Sequence, residues 1–465
     1  MNARRTPRGD PARRVAYEAV AAVHRDDAYA NIVLPRLLRE QGLTARDAAF
    51  ATELCYGTLR LRGQLDAVLA DAAGRPVERI DPPARDALRL GAYQALHTRV
   101  PAHAAVATTV DLVRSVAPAA AGFANAVMRR VTERDRQGWL ERLSPPSADV
   151  VACLAFEHAH PPWIVRAFAE SLGEDPRAPG PETARALAAD NERPTVHLCA
   201  RPGRIDPADL ADAVGGSPGA FSPYAVYLPE GAPGDVAAVT RGLAHVQDEG
   251  SQLVALALAS APVAPSRAVG ERWLDLCAGP GGKAALLGAL AAASGALVTA
   301  VEVAPHRAKL VEQAVAGLPV DVVCTDGRTV SEHESLPAGG FDRVLVDAPC
   351  TGLGALRRRP EARWRRGPDD LPPLTRLQRE LLGAALRAAR PGGVVLYATC
   401  SPHLVETTVT VAEALRRSES TLERLDARAA LPPGMPGLGP GPAAQLWPHR
   451  HGTDAMYLAL LRRIS

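Results

Sequence analysis

Two cysteines close two strand-like runs: Cys350 ends Val344-Leu-Val-Asp-Ala-Pro-Cys, and Cys400 ends Val394-Val-Leu-Tyr-Ala-Thr-Cys. Upstream, Trp273-Leu-Asp-Leu-Cys-Ala-Gly-Pro-Gly-Gly-Lys283 reads as a strand, a glycine-rich turn and the start of an Ala/Leu-rich helix, the layout of a nucleotide-type cofactor loop. A thiolate adds to an electrophilic carbon and leaves again, so two thiols, a cofactor loop and an acidic strand end point to covalent catalysis. A free thiol with a pKa of about 8.5 is mostly protonated near neutrality, so the site is expected to depress at least one of the pair.

The turn by itself fits two chemistries. Gly279-Pro-Gly-Gly-Lys-Ala284 satisfies G-x-G-x-x-A, and Glu302 follows at the end of the next strand, which is also the dinucleotide fingerprint. A nicotinamide-dependent dehydrogenase is therefore a rival reading. Such an enzyme has no need of Asp326 at a third strand end, Asp347 beside Cys350 at a fourth, or Thr399-Cys400 at a fifth. Methylation at C5 of a pyrimidine does need them, because that carbon becomes nucleophilic only after a thiolate adds to C6. S-adenosylmethionine would then be the cofactor, its adenosine held by the loop, Glu302 and Asp326. A third class, a non-catalytic ribosome-assembly or antitermination factor, would leave both thiols without work.

A doubly wound sheet would bring these residues together. Strands are expected at Trp273 to Cys277, Leu297 to Val301, Val320 to Cys324, Arg343 to Val346, Gly393 to Ala398 and Met456 to Leu461. Helices fall between them at Lys283 to Ala292, Pro305 to Val315, Leu374 to Ala389 and Val405 to Arg417. Every chemical motif then lies at a carboxyl strand end, where ligands of such sheets bind. Residues 11–140 instead carry apolar side chains at helical spacing, as in Val15, Ala19, Ala22 and Val23, or Ile32, Leu34, Leu37 and Leu38. The chain is predicted to be multidomain: an all-helical domain over 1–145, a linker and small α+β module over 146–245 with a strand at Thr195-Val-His-Leu-Cys-Ala, and an α/β catalytic domain over 246–465.

Charge bears on the partner. The net charge is only +2, yet residues 1–140 hold 21 basic and 15 acidic side chains, and Arg357 to Arg366 holds six Arg against one Glu. A basic end domain and a basic loop beside the site suit a polyanion. Trp364 within that loop either stacks on a base or packs beneath it. Seven cysteines without a regular framework indicate reduced thiols, with Cys55, Cys153, Cys199 and Cys324 expected in the core. The histidines lack zinc-ligand spacing, so no metal is expected. Residues 1–8 carry no apolar signal core, and a cytoplasmic protein is expected.

From Val246 onward the chain resembles the RNA cytosine-C5 methyltransferases of the NOL1/NOP2/Sun family. The resemblance is carried by Val246-Gln-Asp-Glu-Gly-Ser-Gln252, Cys277 to Lys283, Asp326-Gly-Arg328, Asp347-Ala-Pro-Cys350, Arg358-Arg-Pro360 with Trp364, Ala398-Thr-Cys-Ser401 and Gly452-Thr-Asp454. Residues 11–140 resemble the helical domain of the NusB family in Glu53-Leu-Cys-Tyr-Gly-Thr-Leu-Arg60 and Phe123-Ala-Asn-Ala-Val-Met-Arg129. The fusion implies an RNA-binding helical domain joined to a Rossmann-like class I S-adenosylmethionine-dependent domain that methylates small-subunit (16S) ribosomal RNA, with tRNA as the alternative. It further implies Cys400 as nucleophile, Cys350 as the thiol assisting product release and Asp347 as a contact to the cytosine edge. Cofactor contacts would fall on Cys277, Ala278, Gly279, Pro280, Gly281, Gly282, Lys283, Glu302, Arg307, Asp326 and Asp347, with Lys283 ordering the acidic groups. Three positions depart from the family pattern: Gly279 replaces Ala, Glu302 replaces Asp, and Val196-His-Leu-Cys199 replaces a strand containing Arg.

Overall fold

The computed structural model describes residues 10–147, 149–265, 270–333, 336 and 339–465; residues 1–8, on which the expectation of no signal core rests, lie outside them. The chain divides into two units, Met1–Asn191 with Arg358–Arg365, and Glu192–Arg357 with Arg366–Ser465. Among the described residues no helix is long and apolar enough to cross a membrane.

The first unit is helical. Asp10 caps Pro11–Arg25 by accepting the Arg13 amide, and Val15, Ala19 and Val23 turn inward as their spacing requires, with Ala22 at the margin. On Ala30–Glu40, Leu34 is buried whereas Ile32 faces solvent. Helices Ala45–Arg60 and Pro82–His97 approach closely at Gly57, where a Cβ would come 1.9 Å from the Tyr93 ring.

Arg358–Arg365 completes this unit. Arg363 is fully buried and donates to the carbonyls of Arg60, Ala159 and Asp190 and to Asn191 Oδ1. Glu361 accepts the Ala30 amide, and the Trp364 ring fills the hollow at Gly63, where a Cβ would lie 2.3 Å from it. The expectation of an open basic loop is thereby corrected. Arg357 is buried as well, while Arg359 and Arg365 lie over the Tyr29 ring. Trp364 packs rather than offering a stacking face. Burial of the Arg363 guanidinium is tolerated because backbone carbonyls and Asn191 meet its two terminal nitrogens and its stem is apolar.

The second unit holds two sheets. The smaller runs Ser217–Pro218, Ala225–Leu228, Val196–Ala200, Ala244–Val246, antiparallel throughout, and covers a core of Leu198, Ala200, Leu210 and Val226. The strands of the larger are β1 (Arg272–Asp275), β2 (Leu297–Val301), β3 (Val320–Val323), β4 (Phe341–Asp347), β5 (Ala389–Thr399), β6 (Leu422–Leu425), β7 (Ala444–Gln445) and β8 (Tyr457–Arg463). They are ordered β6-β8-β5-β4-β1-β2-β3, with β7 beside β8. Strands β1 to β5 pair in parallel, and β8 returns antiparallel to β5 with Tyr457 opposite Thr399. Val344, Leu345, Val346 and Val394 to Ala398 are all fully buried, as strands covered on both faces must be. Strand order reverses between β1 and β4, the switch point at which such sheets open a ligand crevice. The helix Glu249–Ser260, capped by Asp248, precedes β1 and was not expected from the sequence.

Candidate active site

Strands β4 and β5 are neighbours in register, Asp347 opposite Ala398, so the turns that follow them bring their cysteines together. Cys350 Sγ and Cys400 Sγ are 3.4 Å apart, both partly exposed. The hydrogen bond to Cys400 is the largest influence holding the Cys350 thiol well above its ordinary pKa, followed by burial and by the charges of Cys400 and Glu406. For Cys350 the shift is thus opposite to the expected depression. A proton retained on Cys350 is one that can be shared with the Cys400 sulfur.

Beside the thiols lies a charged trio. Lys283 Nζ, from the first turn of Gly282–Ser294, is 2.7 Å from Asp347 Oδ2. Burial favours a neutral Lys283, but the charge and hydrogen bond of Asp347 outweigh it and raise the pKa of the ammonium. Asp275, at the end of β1, is buried, and neither carboxyl oxygen makes a hydrogen bond of normal geometry, only weak help coming from the Cys277 amide. Burial first, and the charge of Asp347 second, push Asp275 up to about 7, against the pull of Lys283.

The glycine turn fits an adenosine-type cofactor. Gly281 has φ of 111° and lies so close to the helix Pro305–Ala314 that a Cβ would stand 2.6 Å from the Ala314 Cβ. Only glycine holds that conformation without strain. Its neighbour Gly282 begins a helix, whose first-turn amides have no intrahelical acceptor and can meet an anionic or polar ligand. Glu302 is almost fully buried, accepts the Ala304 amide at 3.0 Å and lies 3.6 Å from Arg307, which donates to the Gly279 carbonyl at 2.7 Å. Asp326 ends the approach from β3, capping the following turn and pairing with Arg328, whose hydrogen bonds hold its carboxyl below the usual range. Ala278 is buried, Pro280 exposed, and Cys277 packs against the apolar core behind β1. Every residue expected to hold the cofactor therefore belongs to the carboxyl ends of β1 to β4 or to a helix that starts there.

Other expectations divide. Cys55 and Cys199 are buried, Cys153 is partly so, but Cys324 is exposed just past β3, because its strand is at the sheet edge. His197, on the strand that replaces one containing Arg, is buried and accepts the Glu249 amide, so it is part of the framework. Asp275 and Glu406 were missed. An acidic residue inside the apolar run Trp273-Leu-Asp-Leu was a usable signal for the first, and Pro402-His-Leu-Val-Glu406 gave none for the second.

A family model described as 16S rRNA methyltransferase RsmB/F matches residues 264–462, and a model of the NusB family matches residues 10–133. A putative methyltransferase of Mycobacterium tuberculosis is 58% identical over 98% of this chain and 97% of its own. The ribosomal RNA small subunit methyltransferase B of Pseudomonas putida is 34% identical over 97% of this chain and 98% of its own. Among solved structures, PH0851 covers 100% of both chains with a TM-score of 0.81 at 23% identity, a likeness of fold. NSun6 from Pyrococcus horikoshii with SFG covers 66% of this chain and 99% of that one, with a TM-score of 0.54 at 16% identity.

Proposed function

Since the chain belongs to the RsmB/F family of 16S rRNA methyltransferases and carries a NusB-family domain, we propose that it methylates C5 of a cytosine in 16S ribosomal RNA through a covalent adduct with Cys400. The observation that carries this reading is the 3.4 Å contact between Cys350 and Cys400 at the ends of adjacent strands. S-adenosylmethionine, when bound, supplies the methyl group. The residues from Cys277 to Lys283, with Glu302, Arg307 and Asp326, would hold it.

The chain's own groups have distinct tasks. Cys400 Sγ bonds to C6 of the base, which places electron density on C5. Asp347, oriented by Lys283 at 2.7 Å, contacts the polar edge of the cytosine. Once C5 is methylated, its proton passes to solvent and the bond from C6 to Cys400 breaks, restoring the ring double bond; Cys350 gives its proton to the departing sulfur and regains one from solvent. A paired cytosine hides both carbons, so the base must be unpaired or flipped, at a cost of about a few kcal/mol. The basic helical domain over 1–145 would hold the RNA through its phosphates, with affinity that falls as salt rises. Reduced thiols suit a cytoplasmic setting.

Bisulfite sequencing of 16S rRNA incubated with the protein and S-adenosylmethionine tests the reading directly. A new C5-methylated cytosine, lost with Cys400→Ser, is expected. Methylation of tRNA alone, or tight NADH binding without methyl transfer, would replace it with one of the alternatives.

A further inference from the structure

We infer that Glu406 is the positioning residue of the thiol pair, the group that fixes Cys350 against Cys400, a reading that rests on the thiol chemistry proposed above. Glu406 closes the single turn Leu404–Glu406 beyond Cys400 and is fully buried. Its carboxylate accepts the Thr351 amide at 2.8 Å, the Thr351 hydroxyl at 2.5 Å and Gln378 Nε2 at 3.0 Å. Gln378 Nε2 also donates to the Pro349 carbonyl at 2.9 Å. Cys350 is therefore bracketed: its following residue is bound by Glu406 directly, and its preceding residue through Gln378.

The other thiol is tied to the same group. Thr351 Oγ1 lies 3.1 Å from Ser401 Oγ, the residue after Cys400, and the Gly354 amide donates to the Cys400 carbonyl at 2.8 Å. The Glu406 backbone is fixed in turn by the Tyr397 hydroxyl, which donates to its carbonyl at 2.7 Å. Among the described residues no Lys or Arg forms an ion pair with Glu406. A carboxylate buried with hydrogen bonds as its support is costly, and each of these bonds ends on a turn that carries a catalytic thiol or on the helix Leu371–Ala388 that braces one. The same charge also favours the protonated form of Cys350.

The test uses the full chain with Glu406→Ala and Glu406→Gln. Glutamine can reproduce the network, because its carbonyl accepts from Thr351 and Gln378 while its amide faces a Thr351 hydroxyl that turns its proton to Ser401. The rate at which diamide closes the Cys350–Cys400 disulfide reads the approach of the sulfurs without any methyl transfer. Glu406→Ala should slow closure about tenfold or more, as expected for sub-ångström to ångström misplacement. It should also accumulate the denaturant-resistant RNA adduct, while S-adenosylhomocysteine affinity by calorimetry stays within about twofold. Glu406→Gln should restore most of the closure rate and clear the adduct. Closure at the wild-type rate in Glu406→Ala, or equal defects in both variants, would overturn the assignment. If Glu406→Ala does not fold, Thr351→Val, which removes one hydroxyl, should slow closure by a smaller factor, and an unchanged rate there refutes the proposal equally. A Cys350→Ala enzyme that forms no adduct would instead count against the thiol mechanism, leaving the disulfide measurement to judge Glu406 by itself.

Discussion

Gly279 and Glu302 share space that one of them can fill: a methyl group on Gly279 would stand 2.0 Å from Glu302 Oε2 and 2.9 Å from Arg307 Nε. The glutamate reaches one methylene further than an aspartate would, into the volume the glycine leaves open. Gly279→Ala should therefore weaken S-adenosylhomocysteine binding by about 1–3 kcal/mol, the cost of displacing a buried polar partner. Adding Glu302→Asp to that variant makes room and should recover a coupling energy of about 1 kcal/mol or more. Calorimetry on the four proteins checks this, and strictly additive losses would refute it.

Asp275 should make stability fall with pH. Its carboxyl is pushed from an ordinary 3.8 up to about 7 by burial and then by Asp347, so the folded state binds this proton more tightly than the unfolded chain. Its contribution is full below the unfolded value and is lost as pH rises through about 7. Asp275→Asn is expected to raise the melting temperature of the cofactor-free protein at pH 8, by the equivalent of at most about 4 kcal/mol. The advantage should vanish near pH 4. A constant difference across the range would show that the carboxyl does not titrate there.

Removing the cation tests the trio from the other side. Lys283→Met leaves Asp347 and Asp275 facing each other without compensation, and should cost about 2–3 kcal/mol of stability together with most of the single-turnover rate. Adding Asp347→Asn should return much of the stability and none of the rate. Recovery of turnover in the double variant would remove Asp347 from contact with the base.

Arg363→Ala deletes a fully buried guanidinium and strands the acceptors that surround it. A loss of about 3–5 kcal/mol is expected within the helical unit, seen as faster amide exchange in Arg62–Ala73 and Pro162–Leu172. Cofactor affinity should not change. Arg363→Met, which keeps the apolar stem, should be milder.

The parallel strands were legible in the sequence because a sheet covered on both faces writes uninterrupted apolar runs such as Val394 to Ala398, ended by glycine, proline or the chemical residue itself. That is why Cys350, Cys400, Asp347 and the glycine turn could be assigned to one edge before any coordinates. Short antiparallel pieces left little trace: Leu422–Leu425 has a charged pair between two leucines and lies at an edge, and Ala444–Gln445 is two residues among prolines and glycines. Glu406 was invisible for another reason. Its bonds run to residues 55 and 28 positions away, and no local pattern encodes such partners. The Arg-rich segment misled because charge density says where arginines are, while their burial depends on which carbonyls the fold aims at them, as with Arg363 and Arg60.

The inclusion of Arg358–Arg365 in the helical unit sets an order of events during synthesis. Amino-terminal domains commonly fold as soon as they leave the ribosome, yet this one lacks Arg363 and Trp364 until the chain has been made well past Asn191. At ordinary elongation rates the interval between Asn191 and Arg365 is roughly ten to thirty seconds. During that time the hollow at Gly63 and the carbonyls of Arg60, Ala159 and Asp190 await partners still to be translated. The segments on either side of residues 192–357 thus belong to the same unit, and excision of residues 1–140 would leave the segment that completes that unit without the Tyr29, Arg60 and Gly63 part of its seat.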